Sequence, residues 1–292
     1  MAASLPSPAA AGEGQGEGTL GLSPPTWLGP EEQAGKAFWR DHRTGFTRTL
    51  VVVVVLGAWE GLVRSGTISP LFLSSPLTVA GWLARGVATG SIWPHILVSA
   101  QEAAIGFALA VLAGIPLGIA MGRVQFVRDT FEPFVMALYA SPSVAFLPLL
   151  IIWLGIGLWS KVVLIFLGGV FAVIINTEAG VAHIDPRLVE TARAFTASNR
   201  QVLIKVVIPA AIPFILAGLR QAVGRVLIMV VVAELYAATA GLGYLIFQGG
   251  AMYDTTQVFA GVTLLAGSGI ALNQALRLLE QRVAPWLQTR DI

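Results

Sequence analysis

Residues Asp185 to Pro209 read DPRLVETARAFTASNRQVLIKVVIP, and this charged stretch lies between two long apolar segments. Of the 292 residues in the chain, 55% are apolar and only 12% are charged, and the mean hydropathy is +0.77. The core of a soluble protein cannot absorb that much apolar surface, so the composition indicates an integral membrane protein. The stretch 185–209 is then a polar loop between two membrane spans.

The pattern of this loop predicts two short amphipathic helices. Asp185 before Pro186 indicates a helix start, because aspartate accepts hydrogen bonds from free backbone amides and proline suits the first helical position. A polar break follows, and Ser198 can cap a second helix whose apolar stripe ends at Pro209. Such a helix pair either lies on lipid headgroups or docks onto a protein. The residues expected on one face of the first helix are Leu188, Ala192 and Phe195.

Six apolar segments are long enough to cross a bilayer, which takes about 20 helical residues. The sequence therefore predicts an all-α integral membrane protein of about six transmembrane helices. The third segment carries three prolines, Pro133, Pro142 and Pro148, which are expected to kink or break it. A broken helix is tolerated in a membrane where protein or water satisfies its backbone, so this segment is a candidate for lining a pathway. The segments are residues 47–64, 96–121, 132–156, 160–180, 209–238 and 255–276.

Lysine and arginine are distributed unequally around these segments. Thirteen lie on the side that carries both termini and the loop 185–209, whereas three lie on the other side and two lie inside the fifth segment. Because basic residues accumulate in cytoplasmic loops, both termini and the loop are predicted to be cytoplasmic. The thirteen are Lys36, Arg40, Arg43, Arg48, Arg123, Arg128, Arg187, Arg193, Arg200, Lys205, Arg277, Arg282 and Arg290.

The composition also divides the chain into three parts. Residues 1–46 are rich in Pro, Gly, Ala and Glu, and they are predicted to form a disordered cytoplasmic tail. Residues 47–280 form the transmembrane domain, and residues 281–292 are expected to be a short cytoplasmic tail. The chain is therefore predicted to be a multi-pass membrane protein.

Small residues recur every four positions along the second segment. This spacing places them on one face of the helix and predicts a ridge for close packing against another helix. Glu102 lies one further step of four along the same face, where a carboxylate inside the membrane needs a partner or a water-filled cavity. The ridge residues are Gly106, Ala110, Gly114, Gly118 and Gly122.

Several functional classes lack the residues that they require. The sequence has no GxxxxGK[ST] loop for phosphate binding, so the chain is not expected to hydrolyse ATP. It has no cysteine and only three scattered histidines, so neither a metal nor another cofactor is expected on this chain. Its basic residues lie at the ends of spans rather than on one face, which argues against nucleic-acid binding.

The polar loop resembles the cytoplasmic loop of binding-protein-dependent ABC importer permeases. The family motif is EAA, three residues, glycine, nine residues and IxLP. Thr196 departs from the family's glycine, and a β-branched residue resists the turn geometry that glycine permits. The matching positions are Glu190, Thr191, Ala192, Thr196, Val206, Ile208 and Pro209.

Three further blocks resemble the nitrate, sulfonate and taurine subfamily of these permeases, so that the resemblance covers roughly residues 70–285. The blocks are GFALAVLAGIPLGIAMG at 106–122, SPSVAFLPLLIIWLGIG at 141–157 and AELYAATAGLGYLI at 233–246. The resemblance implies a type I ABC importer permease fold in a bacterial cytoplasmic membrane, and the import of a small anionic solute such as nitrate, a sulfonate or taurine. The residues that it implies couple transport to an ATPase are Glu190, Thr191, Ala192, Thr196 and Pro209.

The resemblance also implies partners. They are a second copy of the permease, a cytoplasmic ATPase dimer that holds ATP and Mg²⁺, and an extracytoplasmic binding protein that delivers the solute. The alternative is an ion-coupled secondary transporter, but acids inside the spans are few and no inverted repeat is visible. A membrane-embedded enzyme would need clustered His, Asp or Glu on facing spans, and the sequence shows none.

Three charged residues inside the predicted spans are candidates for the translocation path or for a buried ion pair: Glu102, Arg225 and Glu234. We consider two hypotheses for Arg225. It either forms a buried ion pair with Glu102, or it faces the translocation path and attracts an anionic solute. Glu234 is either a residue beside a gate or a hydrogen-bond partner for a helix end.

Overall fold

The structure is a computed structural model, and it describes residues 47, 49–69 and 71–285. Within those residues it is helical and contains no strand. Helix α1 covers residues 49–64. The predicted tail 1–46 lies outside the described residues, as do the last seven positions, 286–292, of the predicted C-terminal tail. The other helices are α2 (Pro76–Thr89), α3 (Trp93–Arg123), α4 (Gln125–Ala140), α5 (Leu147–Leu154), α6 (Leu158–Ala182), α7 (Pro186–Ala194), α8 (Asn199–Val202), α9 (Ile208–Ala237), α10 (Leu242–Ala251) and α11 (Thr255–Val283).

Four helices in the described part of the chain are long and apolar enough to cross a membrane. They are α3, α6, α11 and the continuous helix Asn199–Ala237, which contains α8 and α9. A fifth span results if α4 and the bent segment Ser143–Leu154 are counted together. Helix α1, which corresponds to the first predicted segment, is too short within the described residues to be counted.

The third predicted segment, 132–156, is broken rather than a single helix. Helix α4 ends at Ala140, and the next helical residues, Ser143–Leu154, run at 92° to it. The break follows from Pro142, because a proline disfavours the helical conformation of the residue before it. Ser141 is accordingly extended, with φ −74° and ψ 140°. Pro148 causes no second break, because it lies in the first turn of α5, where its missing amide is not needed.

Helix α6 is the centre of the bundle. Of its apolar span 67% is buried, compared with 28% for α3, 33% for the helix Asn199–Ala237 and 11% for α11. Helices α3 and α9 pack on α6, and α11 packs on α9 and α10. The contacts of α6 with α9 run in opposite directions along the two helices, so this pair is antiparallel. Gly180 near the end of α6 faces Phe214, whereas Gly168 in its first half faces Met229.

The ridge of small residues on α3 packs directly against α6. A Cβ atom added at Gly118 would lie 2.7 Å from the backbone oxygen of Ile174, so the two backbones approach at a distance that only glycine allows. Ala110 is fully buried in the same contact. The order of contacts is the same along both helices, which are therefore parallel: Gly106 with Ile165, Gly114 with Val173, Gly118 with Ile174 and Gly122 with Val181.

The polar loop 185–209 folds as α7 and α8, but its second helix does not end at Pro209. A π-helical turn, Leu203–Val207, joins α8 to α9, so that residues Asn199–Ala237 form one helix of 39 residues. In this wider turn the amide of Ile208 donates to the carbonyl of Leu203. The next residue is Pro209, which has no amide to continue the ladder, and a π turn of this kind absorbs such an interruption. The predicted end of the loop helix at Pro209 is therefore wrong.

Candidate functional site

Helix α7 presents an apolar surface away from the helix bundle. The side chain of Asp185 accepts a hydrogen bond from the amide of Arg187 at 2.9 Å and caps the helix. Leu188 is 51% exposed and Phe195 is 81% exposed. Ala192, which was expected on the same face, is partly buried together with Val189 against the hydrophobic core. One side of helix α7 therefore packs against the bundle, and large apolar side chains are exposed on the other side.

Thr196 ends α7 in the left-handed conformation, with φ 60°. Its amide donates to the carbonyl of Arg193 at 2.8 Å, and the amide of Ala197 donates to the carbonyl of Ala192 at 3.1 Å. These two bonds form a Schellman motif, in which the left-handed position is usually glycine. A left-handed residue with a Cβ atom costs about 1–2 kcal/mol. Thr196 therefore keeps the turn geometry that glycine would adopt at this position, but with a strained backbone.

Replacing Thr196 by glycine is expected to stabilise the protein by about 0.5–1 kcal/mol, since relief of the left-handed strain exceeds the added flexibility of the unfolded chain. The measurement is the free energy of unfolding of the purified protein in mixed micelles. Thr196→Ala is the control, because alanine keeps a Cβ atom in the left-handed conformation and should give no such gain. A less stable glycine variant would show that the bond from the Thr196 hydroxyl to the Phe195 carbonyl, at 2.7 Å, outweighs the strain.

The other residues that the family motif singles out lie on α7, in the π turn and at the start of α9. Glu190 is exposed on α7. The hydroxyl of Thr191 donates to the carbonyl of Arg187 in its own helix at 2.7 Å, so this donor is already used. Pro209 is the second residue after the π turn and lies within the helix that continues into the bundle. Glu190 is thus the exposed charged group of the motif.

Glu102 forms its ion pair with Lys161, and not with Arg225 as one of the two hypotheses held. Both side chains are buried, with 1% of Glu102 and 6% of Lys161 exposed. The reason is the parallel arrangement of α3 and α6, which brings the first turn of α6 beside the first third of α3. Lys161 was not predicted as this partner, since it lies at the very start of the predicted segment 160–180.

Glu234 is completely buried and caps the first turn of α10. Its carboxylate accepts hydrogen bonds from the hydroxyl of Ser99 and from the amide of Gly243, both at 2.6 Å. The hydroxyl of Ser99 also accepts from the amide of Leu242 at 2.8 Å. Of the two hypotheses for Glu234, the structure shows the hydrogen-bond partner of a helix end. Ser99 was missed, because nothing in the sequence connects it with residues 135 or more positions away.

Arg225 lies over the ring of Tyr139, with its guanidinium carbon 4.3 Å from the ring centroid. It is half-buried on a side of α9 that also carries the exposed residues Gln221 and Gly224. The other arginine of α9, Arg220, points to α11 and forms a salt bridge of 2.6 Å with Glu280. The two arginines therefore have different surroundings although only five positions separate them.

Comparison with known proteins identifies the class of this chain. Residues 114–285 match the family described as binding-protein-dependent transport system inner membrane component. The chain is 37% identical over 242 residues to the taurine transport system permease protein of Escherichia coli, which covers 80% of this chain and 87% of that protein. The chain belongs to the binding-protein-dependent ABC transporter permeases. The prediction made from the loop motif is thus confirmed.

Further matches agree with this assignment. The permease is 33% identical over 245 residues to the putative aliphatic sulfonates transport permease protein of Bacillus subtilis, over 84% of this chain and 89% of that protein. It shares its fold with a chain of the methionine ABC transporter solved in inward-facing conformations. That match has a TM-score of 0.57 and 19% identity, and it covers 66% of this chain and 96% of the other. The all-α, type I ABC importer permease fold is therefore confirmed.

The permease is a multi-pass inner-membrane subunit of an ABC importer, and the alternative of an ion-coupled secondary transporter is not supported. Within the described residues, its candidate functional groups lie in three places: helices α7 and α8, the buried side chains of Glu102, Lys161 and Glu234, and the surface of α9 around Arg225. Helix α9 links the three, because it continues directly from α8 and carries both Arg225 and Glu234.

Proposed function

We propose that this permease imports taurine or another aliphatic sulfonate, and that a separate ATPase dimer drives it by docking on α7 and α8. The observation that carries the coupling role is the exposed apolar pair of Leu188 on α7 and Phe195 directly after it. The opposite side of α7 packs against the bundle. Large exposed apolar side chains grouped on one element are typical of a protein–protein contact. The taurine and sulfonate names of the relatives support the substrate class.

Coupling is expected to act through the helix Asn199–Ala237. A displacement of α7 and α8 by a closing ATPase dimer reaches the membrane span without crossing a flexible loop, because α8 is part of the same 39-residue helix. The π turn at Leu203–Val207 is the position at which that helix can bend. Alternating access then requires two states of the bundle, which nucleotide and the loaded binding protein favour to different extents.

The proposed assembly contains two copies of this permease, two ATPase subunits that hold ATP and Mg²⁺, and an extracytoplasmic binding protein. The excess of lysine and arginine on one side supports cytoplasmic termini and a cytoplasmic position for α7 and α8. The permease itself supplies no catalytic group and no cofactor site in this scheme. Its own contribution is the translocation path and the docking helices.

Replacing Phe195 by aspartate is expected to reduce co-purification of the ATPase with the permease at least tenfold, since it places a charge in the centre of the proposed contact. Uptake of radiolabelled taurine by proteoliposomes that contain the complete transporter should fall in parallel.

Glu190→Ala should also uncouple uptake from ATP hydrolysis while the permease remains inserted and folded.

The matched control for this experiment is Phe72→Asp. Phe72 is 80% exposed, as Phe195 is 81% exposed, but it precedes α2 and lies far from α7 in the sequence. We expect the Phe72 variant to retain the ATPase. A Phe195 variant that retains both the ATPase and full taurine uptake would refute docking through α7. If the Phe195 variant loses the ATPase but the wild-type transporter imports no sulfonate, docking through α7 is supported and only the proposed substrate is wrong.

A further inference from the structure

Four polar side chains from three helices form a cluster on the outer surface of the described bundle. Asn176 on α6 donates to the side-chain oxygen of Gln221 on α9 at 2.9 Å. The amide of Gln221 donates to the hydroxyl of Tyr139 on α4 at 3.5 Å, and Arg225 lies over the ring of Tyr139. We call these four residues the Arg225 cluster. It joins the three helices at a site that none of them could form alone.

Arg225 is the single charged member of this cluster. No carboxylate in the described part of the chain forms an ion pair with it, whereas Arg220 on the same helix is neutralised by Glu280 at 2.6 and 2.7 Å. Contact with the tyrosine ring stabilises the cation without using its N–H donors. Arg225 therefore keeps a positive charge and several free donors for a ligand.

Arg225 lies deep in the span, where a charged side chain costs free energy unless water reaches it. Arg225 lies 17 residues beyond Ile208, the first residue of α9, which places it about 25 Å along the helix at 1.5 Å per residue. A charged side chain in the middle of a span faces a water-filled cavity or a protein partner and not lipid. Space is available beside it, because a Cβ atom added at the neighbouring Gly224 would meet nothing within 4 Å.

We propose that the Arg225 cluster contacts the sulfonate group of the solute during its passage through the membrane. The proposal rests on the function proposed above and adds the residues that recognise the anion. A guanidinium can donate two parallel hydrogen bonds to two oxygens of a tetrahedral anion, which a lysine cannot do. The second N–H of the Gln221 amide and the hydroxyl of Tyr139 supply further donors next to it. Asn176 positions Gln221, because its own two N–H groups donate to Gln221 and to the carbonyl of Ala172 at 2.8 Å.

A contact of this kind has to be weak, since a solute that binds tightly inside a path does not leave it. The cluster meets this requirement because the site has one cation and neutral donors. No carboxylate has to be displaced when the anion arrives. When the anion departs, Arg225 remains over the ring of Tyr139, which already stabilises its charge.

The absence of cysteine from the chain makes a direct test possible. Ile228 is 59% exposed and lies one helical turn from Arg225, so Ile228→Cys introduces a unique thiol beside the cluster. The complete transporter carrying this change is treated with an anionic reagent, 2-sulfonatoethyl methanethiosulfonate, and with the cationic trimethylammonium analogue. We expect the sulfonate reagent to react faster, and Arg225→Gln to lower the ratio of the two rates about tenfold or more.

Three control variants separate charge from structure. Arg225→Lys should keep most of the preference for the anionic reagent, because the charge remains. The double variant Arg220→Gln/Glu280→Gln removes the other arginine of α9 together with its partner and should leave the ratio unchanged. Ile270→Cys on α11, where the side chain is 66% exposed, reports any general effect of Arg225→Gln on reactivity.

Two results would overturn the proposal. One is that neither reagent modifies the thiol at position 228, which would show that the surface is not wet. The other is a ratio of rates that Arg225→Gln leaves unchanged, together with normal taurine uptake; the importer function would then stand without this site. If instead the Arg225-dependent preference is present but the wild-type transporter imports no taurine, the anion site is supported and the proposed substrate is wrong.

Discussion

Replacing Lys161 by methionine is expected to destabilise the permease by about 3–5 kcal/mol, because it leaves the carboxylate of Glu102 buried without its ionic partner. Methionine has a similar length and keeps the packing of the first turn of α6. The environment offers little compensation, since only 1% of Glu102 is exposed and one of its carboxylate oxygens already lacks a partner among the described residues. The measurement is the free energy of unfolding in mixed micelles.

The double variant Lys161→Met/Glu102→Gln decides whether this loss comes from the unpaired charge. Replacing both members of a buried ion pair by neutral side chains is often close to neutral, so we expect most of the stability to return. If the double variant is as unstable as Lys161→Met, the loss arises from packing around the aliphatic part of Lys161. If Lys161→Met is as stable as the wild type, the pair does not stabilise the folded protein.

Replacing Gly118 by alanine is expected to destabilise the permease by about 1–3 kcal/mol through overpacking at the contact of α3 with α6. The added Cβ would lie 2.7 Å from the backbone oxygen of Ile174 and equally close to the Cβ of Thr177. Neither atom is at the end of a flexible side chain. The two helices therefore have to separate, and the neighbouring glycines of the ridge lose contact as well.

Gly267 provides the matched control, because it also lies inside a long helix but a Cβ atom there would meet nothing within 4 Å. Gly267→Ala should be neutral or stabilising by up to about 1 kcal/mol, since alanine is the better helix former. Unfolding in mixed micelles compares the two variants under the same conditions. Equal stability of the two would show that α3 and α6 are not packed as closely as the structure indicates.

The ridge on α3 and Glu102 show which features the sequence could predict and which it could not. Spacing by four placed Gly118 and Glu102 on one face of α3, and both do face α6. The spacing could not identify the residue opposite each of them, because it carries no information on the direction of the neighbouring helix. Lys161 becomes the partner of Glu102 only because α6 runs parallel to α3. The two residues are 59 positions apart, and the sequence between them contains no signal of this contact.

The polar loop shows a second limit. Asp185 and Ser198 cap α7 and α8, as expected of side chains that bond to amides two or three residues away. Pro209, however, was expected to end the second helix. The expectation of a separate short helix rested on its apolar stripe, whereas a π turn makes the backbone hydrogen bonds before Pro209 one residue wider and joins α8 to α9. A change of helix type is not visible in the residue pattern.

The loop Asp185 to Pro209 and the apolar segments around it determined the class of protein, the helical caps, the ridge on α3 and the unusual position of Thr196. These features depend on hydropathy and on contacts within a few residues, which a linear sequence contains. The tertiary structure alone decided that Glu102 pairs with Lys161, that Glu234 caps α10 and that Arg225 faces Tyr139. Each of these contacts joins different helices, and it depends on their relative direction and rotation. Packing between helices sets both, and no local sequence pattern does.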